Sequence, residues 1–333
     1  PAVCRFAGRI PILGVCLGEE LEYITYQHPF LDRQSPVILG DHVTLESGTG
    51  CVHTAPAYGV EDFETGQRYH VENYNPVDAT GHYKPDTPVV AGLDLDKGGR
   101  KALEVIEANG RLLGLKKISH SYPHCWRCHK PVIFRSTPQW FIDVAAFKKR
   151  ALDVIDNEVK WIPGWGHDRI YNMVSERSDW CISRQRVWGV PIPAFECEDC
   201  HETILDAARI RRVAEKVAGA GSDVWWASAP EDLLGDLAVC PHCGSHHLKK
   251  GEDILDVWFD SGASHFSVMD VPSRPYLSWP TDLYLEGADQ HRGWFQTSLL
   301  TSVAVAGKAP YRAVLTHGFI VDEQGRKMSM SLQ

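Results

Sequence analysis

The stretch Asp282-Leu-Tyr-Leu-Glu-Gly-Ala-Asp-Gln-His-Arg-Gly-Trp-Phe295 joins a predicted strand to a predicted helix. Residues 282–285 are typical of a strand, and residues 291–305 are typical of a helix. Residues 311–320 again favour a strand. A strand, a helix and a strand in this order predict a right-handed β-α-β unit of a parallel sheet, and therefore an α/β fold.

The turn between this strand and this helix has the features of a nucleotide site. Ligands of doubly wound sheets bind at the carboxyl edge of the strands, where residues 286–294 lie. Gly287 allows close backbone approach, and a helix N-terminus favours an anionic phosphate. Asp289 and Gln290 could bond ribose hydroxyls or an α-amino group. The alternative is an aspartate that only caps the helix beside a buried aromatic residue.

The end of the chain has a second phosphate pattern. Residues 322–331 read Asp-Glu-Gln-Gly-Arg-Lys-Met-Ser-Met-Ser. Such a turn can place the Lys327 ammonium and the hydroxyls of Ser329 and Ser331 around a triphosphate. By itself the pattern is weak, because a basic turn is usually just solvated.

The composition indicates a globular enzyme. The chain has 333 residues, of which 44% are hydrophobic and 23% charged, and its net charge is −9. These values suit two or three domains, and no apolar run reaches the roughly 18 residues of a membrane span. The negative net charge argues against non-specific binding to nucleic acid, which needs clustered lysines and arginines. The start lacks both Met and a signal-peptide pattern, and the end lies inside a motif, so we expect a fragment.

Six of the ten cysteines form three C-x-x-C pairs. Thiolates with this spacing can bind one zinc ion from one tight turn. We expect Cys197, Cys200, Cys240 and Cys243 to hold one structural Zn²⁺, with a helix near residues 207–218 between the pairs. The alternative is four unrelated buried thiols.

The third pair, Cys125 and Cys128, has no second pair nearby. Three interpretations stay open. Cys125 and Cys128 share a metal ion with cysteines that precede residue 1, or His124 and His129 complete the site, or the pair binds no metal in this chain.

The 286–294 and 322–331 segments together resemble class I aminoacyl-tRNA synthetases. The first resembles their adenylate-binding turn, and the second their Lys-Met-Ser-Lys-Ser loop. Within the class, Glu-Gly-x-Asp-Gln-x-Arg-Gly-Trp-Phe is similar to isoleucyl-tRNA synthetases. Three further stretches are similar to the same enzymes: Thr137-Pro-Gln-Trp-Phe141, Asp179-Trp-Cys-Ile-Ser-Arg-Gln-Arg-Val-Trp-Gly189 and Asp256-Val-Trp-Phe-Asp-Ser-Gly262.

The resemblance covers essentially the whole chain and implies a fold and four domains. The fold would be a partial Rossmann-type parallel sheet with a β-rich inserted editing domain and a small zinc module. Residues 1–119 would be the C-terminal part of the editing domain, and residues 120–196 the catalytic segment after it. Residues 197–250 would be the Cys4 zinc module, and residues 251–333 the Rossmann core up to the Lys-Met-Ser loop.

The resemblance also implies an activity. The family activates isoleucine with ATP and Mg²⁺ and transfers it to tRNA(Ile). Substrate contacts would come from Glu286, Gly287, Asp289, Gln290, Trp258, Trp294, His317 and Gly318, and catalytic contacts to the phosphates from Lys327, Ser329 and Ser331. Either tryptophan could instead be ordinary core packing. Met330 stands where the loop usually has its second lysine, and methionine offers no donor and no charge. We therefore expect either weaker activation or that Lys327 and another cation take over this role.

An upstream segment, Gly48-Thr-Gly-Cys-Val-His-Thr-Ala-Pro56, resembles the family's editing pocket. His53 would approach the tRNA terminal ribose or the scissile ester, and Asp62 would grip the α-amino group of a mischarged valine. His53 could also be an ordinary strand histidine. Ala57 and Tyr58 replace the more usual Gly-His, which would reshape the pocket.

Other readings of the sequence predict different functions. A valyl- or leucyl-type synthetase shares the framework, a stand-alone editing hydrolase would need a threonine-rich pocket, and a non-catalytic zinc module would need no adenylate site. The family implies a cytoplasmic monomer that binds no membrane. Arg184 and Arg186, with Trp180 and Trp188, would either contact tRNA or pack as a hinge. No His-Ile-Gly-His segment occurs, so we expect the isolated chain to be inactive.

Overall fold

The computed structural model describes residues 11, 13–44, 49–125, 128–270, 272 and 274–328. The chain divides into two compact units, residues 1–138 and residues 139–333. The four domains expected from the sequence have boundaries elsewhere, after residues 119, 196 and 250, and this division stays a prediction.

In the part of the first unit that the structure describes, there are short strands, two α-helices and a 3₁₀-helix at Gly18–Leu21. Its elements are β1 (Thr25–Gln27), β2 (Gln34–Pro36), α1 (Val60–Arg68) and α2 (Leu95–Ala108). The strands form an antiparallel pair. Helix α2 begins at Asp94, whose carboxylate accepts the Lys97 N–H at 2.8 Å, as an N-cap should.

The second unit contains both strands and helices. Its elements are β3 (Phe141–Ile142), α3 (Ala145–Asn157), β4 (Lys160–Ile162), α4 (Trp165–Ser175), β5 (Trp180–Cys181), β6 (Ser183–Arg184), β7 (Phe195–Cys197), β8 (Thr203–Ile204), α5 (Ala207–Ala220), α6 (Val224–Ala227), α7 (Pro230–Leu234), β9 (Leu248–Lys250), β10 (Ile254–Leu255), α8 (Val257–Gly262), β11 (Tyr284–Gly287), α9 (Trp294–Ala306) and β12 (Ala313–His317).

The predicted β-α-β unit is confirmed. Strand β11 runs parallel to β12, and β12 runs parallel to β4, so β12 is the central strand of this sheet. Helix α9 connects β11 to β12, and its residues from Phe295 to Val303 are all buried. It ends at Gly307, whose left-handed backbone lets its N–H bond the Val303 carbonyl at 2.9 Å.

Two buried clusters lie in the second unit. One packs α9 and the parallel sheet against α3 and α4, with Leu299 and Tyr311 fully buried. The other lies between β7 and helices α5 to α7, around the buried ring of Trp225. Among the described residues, no helix is both long and apolar enough to span a lipid bilayer.

Candidate active site and metal centre

Gly287 ends β11 at the carboxyl edge of the sheet, where its register partner is His317 at the end of β12. A Cβ built on Gly287 would lie 2.8 Å from Asp289 Oδ1 and 3.6 Å from His317 Cε1. Its φ of −70° is open to any residue, so the close approach of these side chains is what requires glycine here. The carboxylate and the imidazole therefore both approach Gly287, beside the exposed Glu286.

Gln290 caps the helix that follows. Its Oε1 accepts the Trp294 backbone N–H at 2.9 Å, at the first residue of α9. A Cβ on Gly293 would lie 2.5 Å from that oxygen and 2.8 Å from the Trp258 ring. The cap is thus Gln290 rather than Asp289. Because the amide oxygen is engaged, the amide NH₂ is the part of Gln290 that can meet a ligand.

The two tryptophans of the predicted pocket differ in their surroundings. The Trp294 ring stacks on Tyr284 at 3.9 Å with an interplanar angle of 13°. Its Nε1–H donates to the Ser261 carbonyl at 3.0 Å and to Ser264 Oγ at 3.1 Å. Trp258 is 41% exposed. Trp294 is therefore fixed by packing on one face, whereas Trp258 is open to a ligand.

Asp256 anchors the helix that carries Trp258. Its Oδ1 accepts the Trp258 N–H at 3.2 Å. Its Oδ2 accepts Trp180 Nε1–H at 3.1 Å and Arg184 Nη2–H at 3.0 Å, and the residue is 4% exposed. Sequence reasoning missed this role, although an aspartate just before the helical segment Val257-Trp-Phe is an N-cap signal.

A cleft of 570 Å³ opens beside α8 and the start of α9. It is lined by Met173, Glu176, Arg177, Ser178, Asp179, Trp180, Cys181, Arg184, Asp256, Trp258, Arg292, Gln296 and Thr297. Of the predicted substrate-binding residues, Trp258 alone lines it. The others lie outside this lining: Glu286 and Gly287 end β11, Asp289 and Gln290 follow in the turn, Trp294 begins α9, and His317 and Gly318 lie at the end of β12.

The lysine loop, residues 320–328, leaves the same edge three residues after His317. Met328 N–H donates to the Ile320 carbonyl at 3.0 Å, and Val321 bridges Lys327, so the loop is a hairpin. The Lys327 ammonium lies 3.7 Å from the centroid of the Phe319 ring. Gly318 is exposed, and Ser329, Met330 and Ser331 lie outside the described residues.

The four cysteines of the module converge. All four Sγ atoms lie within 4.8 Å of one another. Cys197 and Cys243 sulfurs are 3.5 Å apart, and Cys200 and Cys240 sulfurs are 3.7 Å apart. Ligands about 2.3 Å from one tetrahedral Zn²⁺ would be about 3.8 Å apart, so the spacing fits such an ion. The alternative, four cysteines that lie apart from one another, is inconsistent with this spacing.

Each knuckle is shaped by its backbone. Cys197 accepts the His201 N–H at its carbonyl and donates its own N–H to Glu202, and Cys240 does the same with Gly244 and Ser245. Backbone N–H groups of Cys200 and Asp199 lower the pKa of the Cys197 thiol. Burial raises the pKa of Cys240, but N–H groups of Cys243 and His242 outweigh it and bring the pKa to about 7. Despite the N–H of Glu202, burial and the neighbouring thiols raise the pKa of Cys200 to about 12, and despite the N–H of Ser245, Cys197 raises the pKa of Cys243. The four sulfurs therefore do not favour the thiolate, the form that binds a metal, equally.

The third pair has the same backbone turn. Cys125 N–H donates to the Lys130 carbonyl, and His129 N–H donates to the Cys125 carbonyl, both at 2.8 Å. His129 has a φ of +57°, close to the +60° of His201 in the first knuckle of the module. Among the described residues, no third ligand joins Cys125 and Cys128 in a metal-sized cluster. The three readings of this pair therefore stay open.

The predicted editing residues lie in the first unit. Asp62 occupies the first turn of α1, and its Oδ2 accepts the Ala55 N–H at 3.0 Å. His53 is exposed two residues before Ala55. Tyr58, where histidine is more usual, turns its hydroxyl to Asn75 Oδ1 at 3.0 Å. The backbone thus links Asp62 to the His53 segment, while Tyr58 is held by Asn75.

Comparison with known proteins identifies the family of the chain. The family model of tRNA synthetases class I (I, L, M and V) matches residues 20–333. The chain belongs to this family. Its α/β fold with a parallel sheet is therefore the class I synthetase fold.

Within this family, the chain is similar to curated isoleucine–tRNA ligases. The synthetase chain is 55% identical over 316 residues to the isoleucine–tRNA ligase of Carboxydothermus hydrogenoformans, covering 95% of this chain and 34% of that protein. It is 54% identical over 321 residues to the isoleucine–tRNA ligase of Moorella thermoacetica, with 96% and 34% covered. The chain spans about a third of the length of the curated relatives it matches.

Solved structures add nothing to this assignment. Methionyl-tRNA synthetase of Mycobacterium tuberculosis bound by methionyl-adenylate matches with a TM-score of 0.39 and 16% identity. The match covers 65% of this synthetase chain and 32% of that one.

The residues considered for tRNA contact in this synthetase separate into two groups. Trp180 is 5% exposed, and Arg184 is paired with Asp256, so both are part of the packing behind Trp258. Trp188 is 93% exposed, and its neighbour Arg186 is also exposed. Arg186 and Trp188 are the more exposed pair, although the Arg184 side chain is still 40% exposed and lines the cleft, so both interpretations of these residues, tRNA contact and a packed hinge, stay open.

Proposed function

We propose that the protein is an isoleucine–tRNA ligase that activates isoleucine with ATP, releases pyrophosphate and transfers the isoleucyl group to tRNA(Ile). The observation that carries the proposal is the pairing of Gly287 with His317. This pairing makes the 286–294 turn and the lysine loop leave one edge of the sheet, where ligands of doubly wound folds bind. Identity of 55% to an isoleucine ligase favours isoleucine over valine or leucine.

Each residue of the 286–294 turn is proposed to contact a particular part of the substrate. The Asp289 carboxylate accepts hydrogen bonds from the α-ammonium group of isoleucine. The Gln290 oxygen already accepts the Trp294 N–H, so its NH₂ group is the part that donates to a ribose hydroxyl. Glu286 and the Gly287 backbone contact the adenylate. The aliphatic side chain lies against Trp258 and Trp294, where burial costs no polar group. His317 and Gly318 border the adenine.

The lysine loop stabilises the phosphates. Lys327, with the hydroxyls of Ser329 and Ser331, offers positive charge and donors to the departing pyrophosphate, which Mg²⁺ accompanies. Met330 offers neither, so Met330→Lys is expected to raise the activation rate several-fold. Equal rates of the two proteins would show that the second lysine is dispensable here.

The four-cysteine cluster is proposed to bind one Zn²⁺. Its closed shell leaves no open position, so the ion stabilises the fold of the module and takes no part in the reaction. Cys125 and Cys128 are half of a second such site if two further ligands reach them.

Hydrolytic editing of valyl-tRNA(Ile) is proposed for the first unit, with Asp62 binding the α-ammonium and His53 orienting water or the terminal ribose. Editing is needed because the one methylene by which isoleucine differs from valine changes binding by only about 1–3 kcal/mol. Isoleucyl-tRNA synthetase is itself the standard example of this limit. The four domains proposed from the sequence then fall into an editing part and a synthetic part. The protein is expected to act as a cytoplasmic monomer.

Amino-acid-dependent ATP–pyrophosphate exchange tests the proposal, in a polypeptide of the relatives' length that includes these 333 residues. Exchange with isoleucine well above that with leucine is expected. A stand-alone editing hydrolase would deacylate mischarged tRNA without exchange, and a zinc module would do neither. Preference for valine or leucine would move the assignment to another member of the family.

A further inference from the structure

A tight turn at residues 40–43 lies along helix α1. The Val43 N–H donates to the Gly40 carbonyl at 3.0 Å and closes the turn. Asp41 lies 3.6 Å from Arg68 at the end of α1, and His42 Nε2 lies 3.9 Å from Asp62 Oδ1 at its beginning. The turn therefore contacts both ends of the helix through adjacent residues.

The two oxygens of Asp62 have different surroundings. Oδ2 accepts the Ala55 N–H, whereas Oδ1 faces the His42 imidazole. The side chains of His42 and Asp62 are 26% and 22% exposed, so a ligand can still reach the pair. Because Oδ2 is engaged, Oδ1 is the better placed oxygen for a cationic group.

Gly40 keeps the imidazole in place. A Cβ on Gly40 would lie 2.7 Å from His42 Cε1, so the ring packs directly on the glycine backbone. At 3.9 Å the contact of Nε2 with Oδ1 is longer than a hydrogen bond, so it acts through the shape of the packed ring. The ring and the Ala55 N–H therefore each contact a different oxygen of the carboxylate.

We propose that His42 is a positioning residue for Asp62, and that through it His42 sets recognition of the free α-amino group during editing. This rests on the proposed editing function. With His42 in place, Oδ1 points to the site of the ammonium. Without it, the carboxylate rotates about the Ala55 hydrogen bond and loses the amino group, although hydrolysis of the ester itself needs no contact with His42.

The test compares two substrates, valyl-tRNA(Ile) and N-acetyl-valyl-tRNA(Ile), which lacks the ammonium. Deacylation kcat and KM are measured in a polypeptide of the relatives' length. Wild type should prefer the free amine, and Asp62→Ala should abolish that preference. His42→Ala should reduce it about tenfold through KM, with the N-acetyl rate unchanged, and His42→Gln should restore part of it.

Two further variants separate positioning from simple folding. Asp41→Asn breaks the other contact of the same turn, an exposed ion pair, and should keep the preference. Gly40→Ala pushes the His42 ring and should reproduce the His42→Ala effect. If His42→Ala keeps the full preference, or if Asp41→Asn loses as much, the inference is wrong while editing stands. If wild type hydrolyses neither substrate, the editing function and the inference fall together.

Discussion

The Lys327 ammonium lies 3.7 Å from the centroid of the Phe319 ring, so the cation of the lysine loop packs on an aromatic face. The hairpin bond between Met328 and Ile320 brings them together. A phosphate that binds Lys327 must compete with this contact. A cation–π contact at an exposed site contributes about 0.5–1 kcal/mol, which makes the competition weak but measurable.

Replacing Phe319 with leucine should therefore ease ATP binding. Phe319 is 43% exposed, so the fold should not change. We expect Phe319→Leu to lower KM for ATP about two- to fivefold in ATP–pyrophosphate exchange, and Phe319→Tyr to resemble wild type. A higher KM in the leucine variant would mean that Phe319 supports the nucleotide-bound loop instead.

The space over Gly287 should be needed for activation and not for folding. Gly287→Ala would place its methyl 2.8 Å from Asp289 Oδ1 and displace that carboxylate, while its backbone suits alanine. We expect kcat/KM for isoleucine to fall about 10- to 100-fold with little change in Tm. Gly164→Ala, whose methyl would meet nothing within 4 Å, is the control and should keep full exchange. If Gly287→Ala kept full activity, Asp289 would not be a substrate-binding residue.

Metal removal should destabilise the four-cysteine module. Elemental analysis is expected to find about one zinc per chain, and chelation or Cys240→Ser should lower Tm and expose the Trp225 ring to solvent. Cys51→Ser, at an exposed thiol of the first unit, should keep the metal. A metal-free chain with unchanged Tm and buried Trp225 would show that the cluster is not a zinc site.

His167 should give the second unit a pH-dependent stability. Its ring bonds Asp168 at 2.9 Å and Asp156 at 2.8 Å, and these carboxylates, Asp168 first, raise the pKa of His167. Protonation is then favoured in the folded state. The added stability is fully present below the ordinary histidine pKa of about 6.5, and it is lost as pH rises through the raised value.

The matching measurement is Tm against pH for wild type and His167→Gln. We expect the variant to lie about 1–3 °C lower below pH 6, a small effect because the ion pairs are partly exposed. The difference should close in alkaline buffer. Asp156→Asn should give part of the same loss. The His167 ring also stacks on Tyr171, with ring centroids 5.9 Å apart. A constant difference in Tm at every pH would indicate that this packing is lost rather than the charge.

Local patterns made the core of the fold predictable. The β-α-β unit was expected at residues 282–285, 291–305 and 311–320, and it is found at residues 284–287, 294–306 and 313–317. The convergence of the four cysteines followed from the spacing in each knuckle and from the four ligands that zinc takes. Both predictions rest on contacts that neighbouring residues determine.

Contacts between distant residues could not be predicted in this way. Trp180 Nε1 reaches Asp256 across 76 residues, and a single sequence gives no sign of which tryptophan will meet which carboxylate. The approach of His42 to Asp62 likewise depends on how the 40–43 turn packs on α1. Neither the capping role of Gln290 nor the aromatic contact of Lys327 was predicted, because each depends on a rotamer rather than on periodicity.

The central claim is that the 286–294 turn and the lysine loop bind one nucleotide. The most direct measurement is a structure with a non-hydrolysable isoleucyl-adenylate analogue and pyrophosphate, in a polypeptide of the relatives' length. We expect Asp289 and Gln290 to contact the analogue, and Lys327 to leave Phe319 and bind the pyrophosphate beside it within about 3.2 Å. An analogue bound by the turn while the loop faces away, with no shared cleft, would contradict the account.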